Sequence, residues 1–163
     1  MLTTPQLLDT IRSTKDAYHK LTVLVGGPGA GKTVVLNQVA KELDLPVINL
    51  NLHLSQRLLS KSRQQMALHS ADLATEVVDD HYTNGLCLDN TELLFDANLK
   101  LDPLAWLEDL SRNRLIVATW NGSLQGNELR FGNVGHPDHF SSIAKGYPII
   151  SVKENELELH LTA

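Results

Sequence analysis

The stretch Gly26-Gly27-Pro28-Gly29-Ala30-Gly31-Lys32-Thr33 constrains this chain more than any other. It satisfies Gly-x-x-x-x-Gly-Lys-Ser/Thr, the phosphate-binding P-loop (Walker A), with no departure. Before it, Leu21 to Val25 is an apolar, β-rich run that predicts a buried strand. After it, Val35, Leu36, Val39, Ala40 and Leu43 recur at helical spacing. Glycines let the backbone wrap a polyphosphate and turn N–H groups toward it. The following helix adds its positive dipole end. Gly26 to Thr33, with Val34 at the helix start, are therefore the expected nucleotide contacts. Lys32 would reach the β- and γ-phosphates, and the Thr33 hydroxyl would ligate Mg²⁺.

The second chemical motif is Leu86-Cys87-Leu88-Asp89-Asn90, an apolar strand ending in Asp. This is the Walker B pattern, in which Asp89 holds Mg²⁺ through its water shell. Many P-loop ATPases place Glu after that Asp, to position the attacking water. Here Asn90 stands there, and it can orient a water without accepting its proton. Hydrolysis is thus expected to be weak or partner-stimulated. Glu92 either substitutes for the missing carboxylate or simply opens the next helix, where an acid suits the dipole.

The rest of the chain fills in around these motifs. Pro5 to Lys20 predicts an N-terminal helix, whose Tyr18 or His19 would either touch a base or pack in the core. Pro46 to Leu52 predicts a second strand, followed by helices from Leu54 to about Leu68 and from Ala71 to His81. Arg57 and Lys61 would share a basic face on the first of these, solvated or contacting DNA or an acidic partner. Asp102-Pro103 opens another helix. Leu115 to Trp120 is the fourth strand, with Thr119 or Asn121 at its tip as a γ-phosphate sensor or as a simple exit turn. Arg112 and Arg114 would either reach a nucleotide across a subunit boundary or serve as helix C-terminal cations, and Arg130 is a third candidate for the first role. Glu128 to Phe131 reads as a short strand. His136, Asp138 and His139 lack the converging partners of a metal site, and Pro137 reads as a helix start. Ile149 to Val152 is the fifth strand, and Leu157, Leu159 and Leu161 mark a final edge strand.

Length and composition set the bounds. At 163 residues one domain is expected: an N-terminal helix over 1–20 and a nucleotide-binding core over 21–163. The net charge of −5 argues against coating nucleic acid by bulk charge. One cysteine excludes an intrachain disulfide. No apolar run approaches a membrane span, and Met1 to Pro5 does not resemble a signal peptide, so a cytoplasmic location is expected.

Several segments together resemble the BrxF family of small P-loop proteins from BREX bacteriophage-defence systems, the type III systems in particular. They are Gly26 to Thr33, Leu88 to Phe95, Asp102-Pro103-Leu104, Ser111 to Arg114, Trp120-Asn121-Gly122 and Gly135-His136-Pro137. The resemblance implies an ATPase working beside other BREX components, including a DNA methyltransferase, a phosphatase-like protein and a large ATPase. The expected fold is a three-layer α/β P-loop NTPase of the AAA-like, additional-strand class. Its sheet would be mainly parallel, five-stranded and ordered 5-1-4-3-2, without a helical lid. Such a site would be open, so a homo-oligomer or a partner is expected to close it. ATP and Mg²⁺ are the expected ligands, and DNA would be met directly or through partners. A nucleotide-gated binding module and a small-molecule kinase are the competing functions.

Overall fold

The computed structural model describes residues 1–133 and 135–162. Its main sheet runs β2-β3-β4-β1-β8-β9, where β1 is Leu21–Gly26, β2 Val47–Asn49, β3 Leu86–Asp89, β4 Ile116–Asn121, β8 Pro148–Lys153 and β9 Glu156–Leu161. The first five are parallel and adjoin in the expected sequence, with β4 between β1 and β3. The strand count is corrected from five to six, because β9 joins the same sheet antiparallel to β8. The cause is a two-residue turn: Glu154 and Asn155 both adopt left-handed φ, of 50° and 65°. That pair suits the tight primed turn of a β-hairpin.

Alternation along the strands divides the core. Leu21, Val23, Val25, Leu86, Leu88, Ile116, Ala118 and Ile149 face one side. There they meet α3 (Leu50–Leu58), α4 (Arg63–His81) and α5 (Pro103–Leu110). Leu24, Cys87, Val117, Ile150 and Val152 face the other, against α1 (Thr4–Ser13) and α2 (Lys32–Leu43). Strands buried on both faces lose simple alternation and read as continuous apolar runs, as β1 and β3 do.

Local capping explains where the helices depart from expectation. Thr3 caps α1 in a reciprocal box with Gln6, so the helix opens one residue before Pro5. The helix ends at Ser13 and passes into a 3₁₀ turn over Thr14–Asp16, well short of Lys20. Ser13 and Thr14 hydroxyls bond back to the carbonyls of Thr10 and Ile11, an alternative to continued helix. Asn49 accepts from the Leu52 N–H and starts α3 at once, so β2 stops three residues before Leu52. Ser62 and Gln65 form a second capping box. The break between the two central helices therefore falls before Arg63 and not near Ala71. Arg57 and Lys61 do not share a helical face: Arg57 pairs with Asp80, and Lys61 lies in the connecting turn.

A second sheet emerges between β4 and β8. It is antiparallel, ordered β5-β6-β7, with β5 Ser123–Gln125, β6 Glu128–Phe131 and β7 Phe140–Ile143. The β6 stretch was expected; its two neighbours were not, and Pro137 lies in a turn rather than a helix. Phe131 stacks on Phe95 with centroids 3.9 Å apart, and Trp120 meets Phe95 edge-on at 5.0 Å. The Trp120 indole N–H donates to the Arg130 carbonyl. Gly122 makes this docking possible, since a Cβ there would lie 1.9 Å from the Arg130 carbonyl oxygen. No helix among the described residues is long and apolar enough to cross a membrane.

Candidate nucleotide site

The P-loop joins the C-terminal end of β1 to α2. Gly31 adopts φ 103°, a left-handed conformation in which a side chain is strained, and its carbonyl accepts the Val35 N–H. The Lys32 ammonium folds back over the loop. It donates to the carbonyls of Gly26 and Gly27, both at 2.8 Å, and to Asn121 Oδ1 at 3.2 Å. Burial lowers its pKa, and the negative charges of Glu92 and then Asp89 oppose that shift. Pro28 and Gly29 are exposed at the loop tip, and Val34 is exposed in the first turn of α2.

The two motifs meet through side chains 56 positions apart. Thr33 Oγ1 donates to Asp89 Oδ2 at 2.8 Å. The other oxygen of Asp89 accepts from Thr119 Oγ1 and from the Asn90 N–H, each at 3.0 Å. Thr119 thus lies buried beneath Asp89, while Asn121, two residues on, reaches Lys32. The tip of β4 supplies one residue to each motif.

A hydroxyl and a carboxylate oxygen side by side are hard donors of the kind Mg²⁺ takes. Among the described residues no group of three or more His, Cys, Asp or Glu could hold an ion alone. Two protein oxygens fit Mg²⁺, which usually completes its shell with water and substrate phosphates. Thr33 and Asp89 are the residues that would hold it.

Asn90 takes a left-handed φ of 52° and turns its exposed side chain out of the sheet. Glu92 does open a turn, a 3₁₀ segment over Glu92–Phe95, yet its carboxylate also points at the site. It accepts from Asn51 Nδ2 at 2.9 Å, and its charge acts on Lys32 more strongly than that of Asp89. Asn51 is a residue that sequence reasoning missed. Its Oδ1 accepts the Leu93 N–H at 2.8 Å, and its own N–H donates to the Asn90 carbonyl. The available signal was a polar residue just beyond β2, whose Asn49 pairs in register with Asp89.

Four of the proposed cations and aromatics lie at the opposite end of the sheet. Tyr18, His19, Arg112 and Arg114 sit at the N-terminal ends of β1 and β4, about 20 Å from the P-loop along a six-residue strand. Tyr18 is 66% exposed with the Arg112 guanidinium 5.0 Å over its ring, so it neither packs in the core nor meets a base on this P-loop. Arg114 makes a bidentate pair with Asp79, and Arg130 pairs with Glu128. His136 Nδ1 accepts the Asp138 N–H, and Asp138 in turn accepts from Ala97.

Two clefts lie at the C-terminal ends of the parallel strands, and one of them borders the loop. One of about 550 Å³ lies toward β2 and β3 and includes Asn51, Asn90, Glu92, Asp96 and Asp138. The other, of about 670 Å³, lies between the loop, the start of β5 and the β8–β9 turn.

A model of the ATPase family associated with various cellular activities (AAA) matches residues 22–85. Over that span the chain is similar to the AAA ATPases. The match runs from β1 to the residue before β3, under half of the chain, and so includes the P-loop but stops short of Asp89. With the mostly parallel sheet it fits a P-loop NTPase fold and supports nucleotide binding. No curated protein matches the chain.

Proposed function

We propose that this chain binds ATP–Mg²⁺ on its P-loop and hydrolyses it slowly until another chain completes the site. The observation that carries the reading is the hydrogen bond from Thr33 to Asp89, with Lys32 poised above the loop. Phosphate binding would draw Lys32 from the Gly26 and Gly27 carbonyls. Thr33 and Asp89 would hold Mg²⁺, which supplies charge neutralisation at the phosphates. Glu92, oriented by Asn51, would position the attacking water, and Asn121 would report on the terminal phosphate through Lys32.

A nucleotide-gated module with little hydrolysis is the second reading, favoured by the exposed Asn90 where a carboxylate commonly stands. Placement of β4 between β1 and β3 weighs against a small-molecule kinase, since it is the arrangement of the additional-strand ATPases. The loop tip, Gly27 to Gly29, is exposed, and on this reading a second copy or a partner covers the phosphates. The motif resemblance supports a place beside other BREX proteins in phage defence, with nucleotide controlling assembly on DNA.

The test combines size measurement with phosphate release, with and without ATP–Mg²⁺ and DNA. A nucleotide-dependent increase in size, with release rising alongside it, is the expected result. Unchanged monomeric size in every condition, including with partners, would overturn the assembly reading. Retained ATP affinity in Lys32→Ala would overturn the site itself.

A further inference from the structure

The P-loop fixes the phosphates of a nucleotide but not the direction in which its nucleoside leaves. The two clefts differ in chemistry. On the β3 side Asp89 meets Thr33 and the Glu92 charge acts on Lys32, and the cleft beyond them is lined by Asn90, Glu92, Asp96 and Asp138. That is where the terminal phosphate and water would meet, so the other end of the nucleotide points to the β8 side. The cleft there has about 670 Å³, within the range of ligand pockets. Pro28 and Leu124 offer apolar surface, and Glu154 offers a carboxylate.

Glu154 is conformationally out of place. It occupies a left-handed position, φ 50°, in a turn whose central residues are usually Asn, Asp or Gly. Strain of this kind in a cleft wall is a pointer to function. The turn is also bound to the loop: Asn155 donates its backbone N–H to the Ala30 carbonyl at 3.2 Å, and its side chain fills the space over Gly31. Whatever the phosphates do to the loop is felt by this turn.

We infer that the β8–β9 turn is the nucleoside-reading element of the site, with the Glu154 carboxylate accepting hydrogen bonds from the ribose hydroxyls. The hairpin forms one wall of the nucleoside side of the site. The inference rests on the reading of the P-loop as a nucleotide site, and the experiment separates the two.

Calorimetric titrations of the full chain with ATP, 2′,3′-dideoxy-ATP and inorganic tripolyphosphate, each with Mg²⁺, would be compared between the wild type and Glu154→Gly. Glycine suits the left-handed position, so the variant keeps or gains stability. ATP affinity should fall about tenfold, the scale of a hydrogen bond to a charged group. Dideoxy-ATP and tripolyphosphate affinities should not change. An unchanged ATP affinity, or an equal fall for all three ligands, would overturn the ribose contact. A wild type that binds tripolyphosphate as tightly as ATP would overturn it as well. Loss of the underlying reading looks different: no binding of ATP or tripolyphosphate by the wild type, or ATP binding that survives Lys32→Ala, removes both.

Discussion

Replacing Gly31 with alanine probes the joint between the P-loop and the β8–β9 turn. Two costs arise at once. The backbone is held at φ 103°, a conformation that strains any side chain by about 1–3 kcal/mol. The new Cβ would also lie 2.1 Å from Asn155 Oδ1, well inside contact distance. Asn155 is exposed, so its amide can swing aside at the cost of an off-rotamer side chain, about 0.5–1.5 kcal/mol. The sum, about 1.5–4.5 kcal/mol, is a sizeable part of the ~5–15 kcal/mol that holds a domain together. At about 2–4 °C per kcal/mol for a chain of this size, the melting temperature should drop by roughly 3–18 °C. The two costs separate in a double-mutant cycle. Asn155→Gly alone should be close to neutral, because glycine is at home in that turn. In the double variant the overlap is gone and the backbone strain remains. Urea unfolding of the four forms should therefore return a coupling of about 0.5–1.5 kcal/mol between positions 31 and 155. Additive effects, with coupling below about 0.5 kcal/mol, would refute the contact and with it the claim that turn and loop move together.

Two further outcomes follow from the site and the core. Glu92→Gln should lower phosphate release by about 10²–10⁴-fold while ATP affinity holds, the usual range for losing a positioned base; unchanged release would leave Glu92 as a turn residue only. Cys87 is fully buried, and burial pushes its thiol from an ordinary 9.0 up to about 12. Between those values the unfolded chain releases a proton that the folded chain keeps, so this group makes stability fall as pH rises, by up to ~1.4 kcal/mol per pH unit. Denaturant titrations from pH 9 to 11 should show a shallower decline in Cys87→Ala than in the wild type, and identical slopes would refute the shift.

What could be read from the sequence was local. Gly26 to Thr33 and Leu86 to Asp89 are continuous segments whose residue types follow from the backbone and ligand chemistry they must serve. Their flanks supply the strand and helix patterns on their own. The N-caps were less accessible. Thr3, Asn49 and Ser62 each act through a side chain that bonds three residues ahead, and several nearby residues could have played that part. The β5–β7 sheet escaped because β5 and β7 are only three and four residues long and hold their place by pairing with β6 and packing on Phe95 and Trp120. Asn51 and Asn155 were invisible for a related reason. Each matters through a contact 41 or more positions away, and neither sits in a recognisable pattern.

Those two asparagines also change how the site divides. Asp89 is gripped from the P-loop by Thr33 and from β4 by Thr119, so the Mg²⁺ end is held within the main sheet. Glu92 and Glu154 stand on opposite flanks, each on a short turn that an asparagine links to a neighbouring element. Asn51 anchors the Glu92 turn to the start of α3, and Asn155 anchors the Glu154 turn to the loop. The Glu92 turn is thus coupled to α3 and the Glu154 turn to the P-loop, so the two carboxylates answer to different parts of the site. On the proposed reading, the water side and the nucleoside side are then separately adjustable. A neighbouring chain pressing on the Glu92 flank would alter turnover and leave ATP affinity intact, which is the division of effects expected of Glu92→Gln and the opposite of that expected of Glu154→Gly.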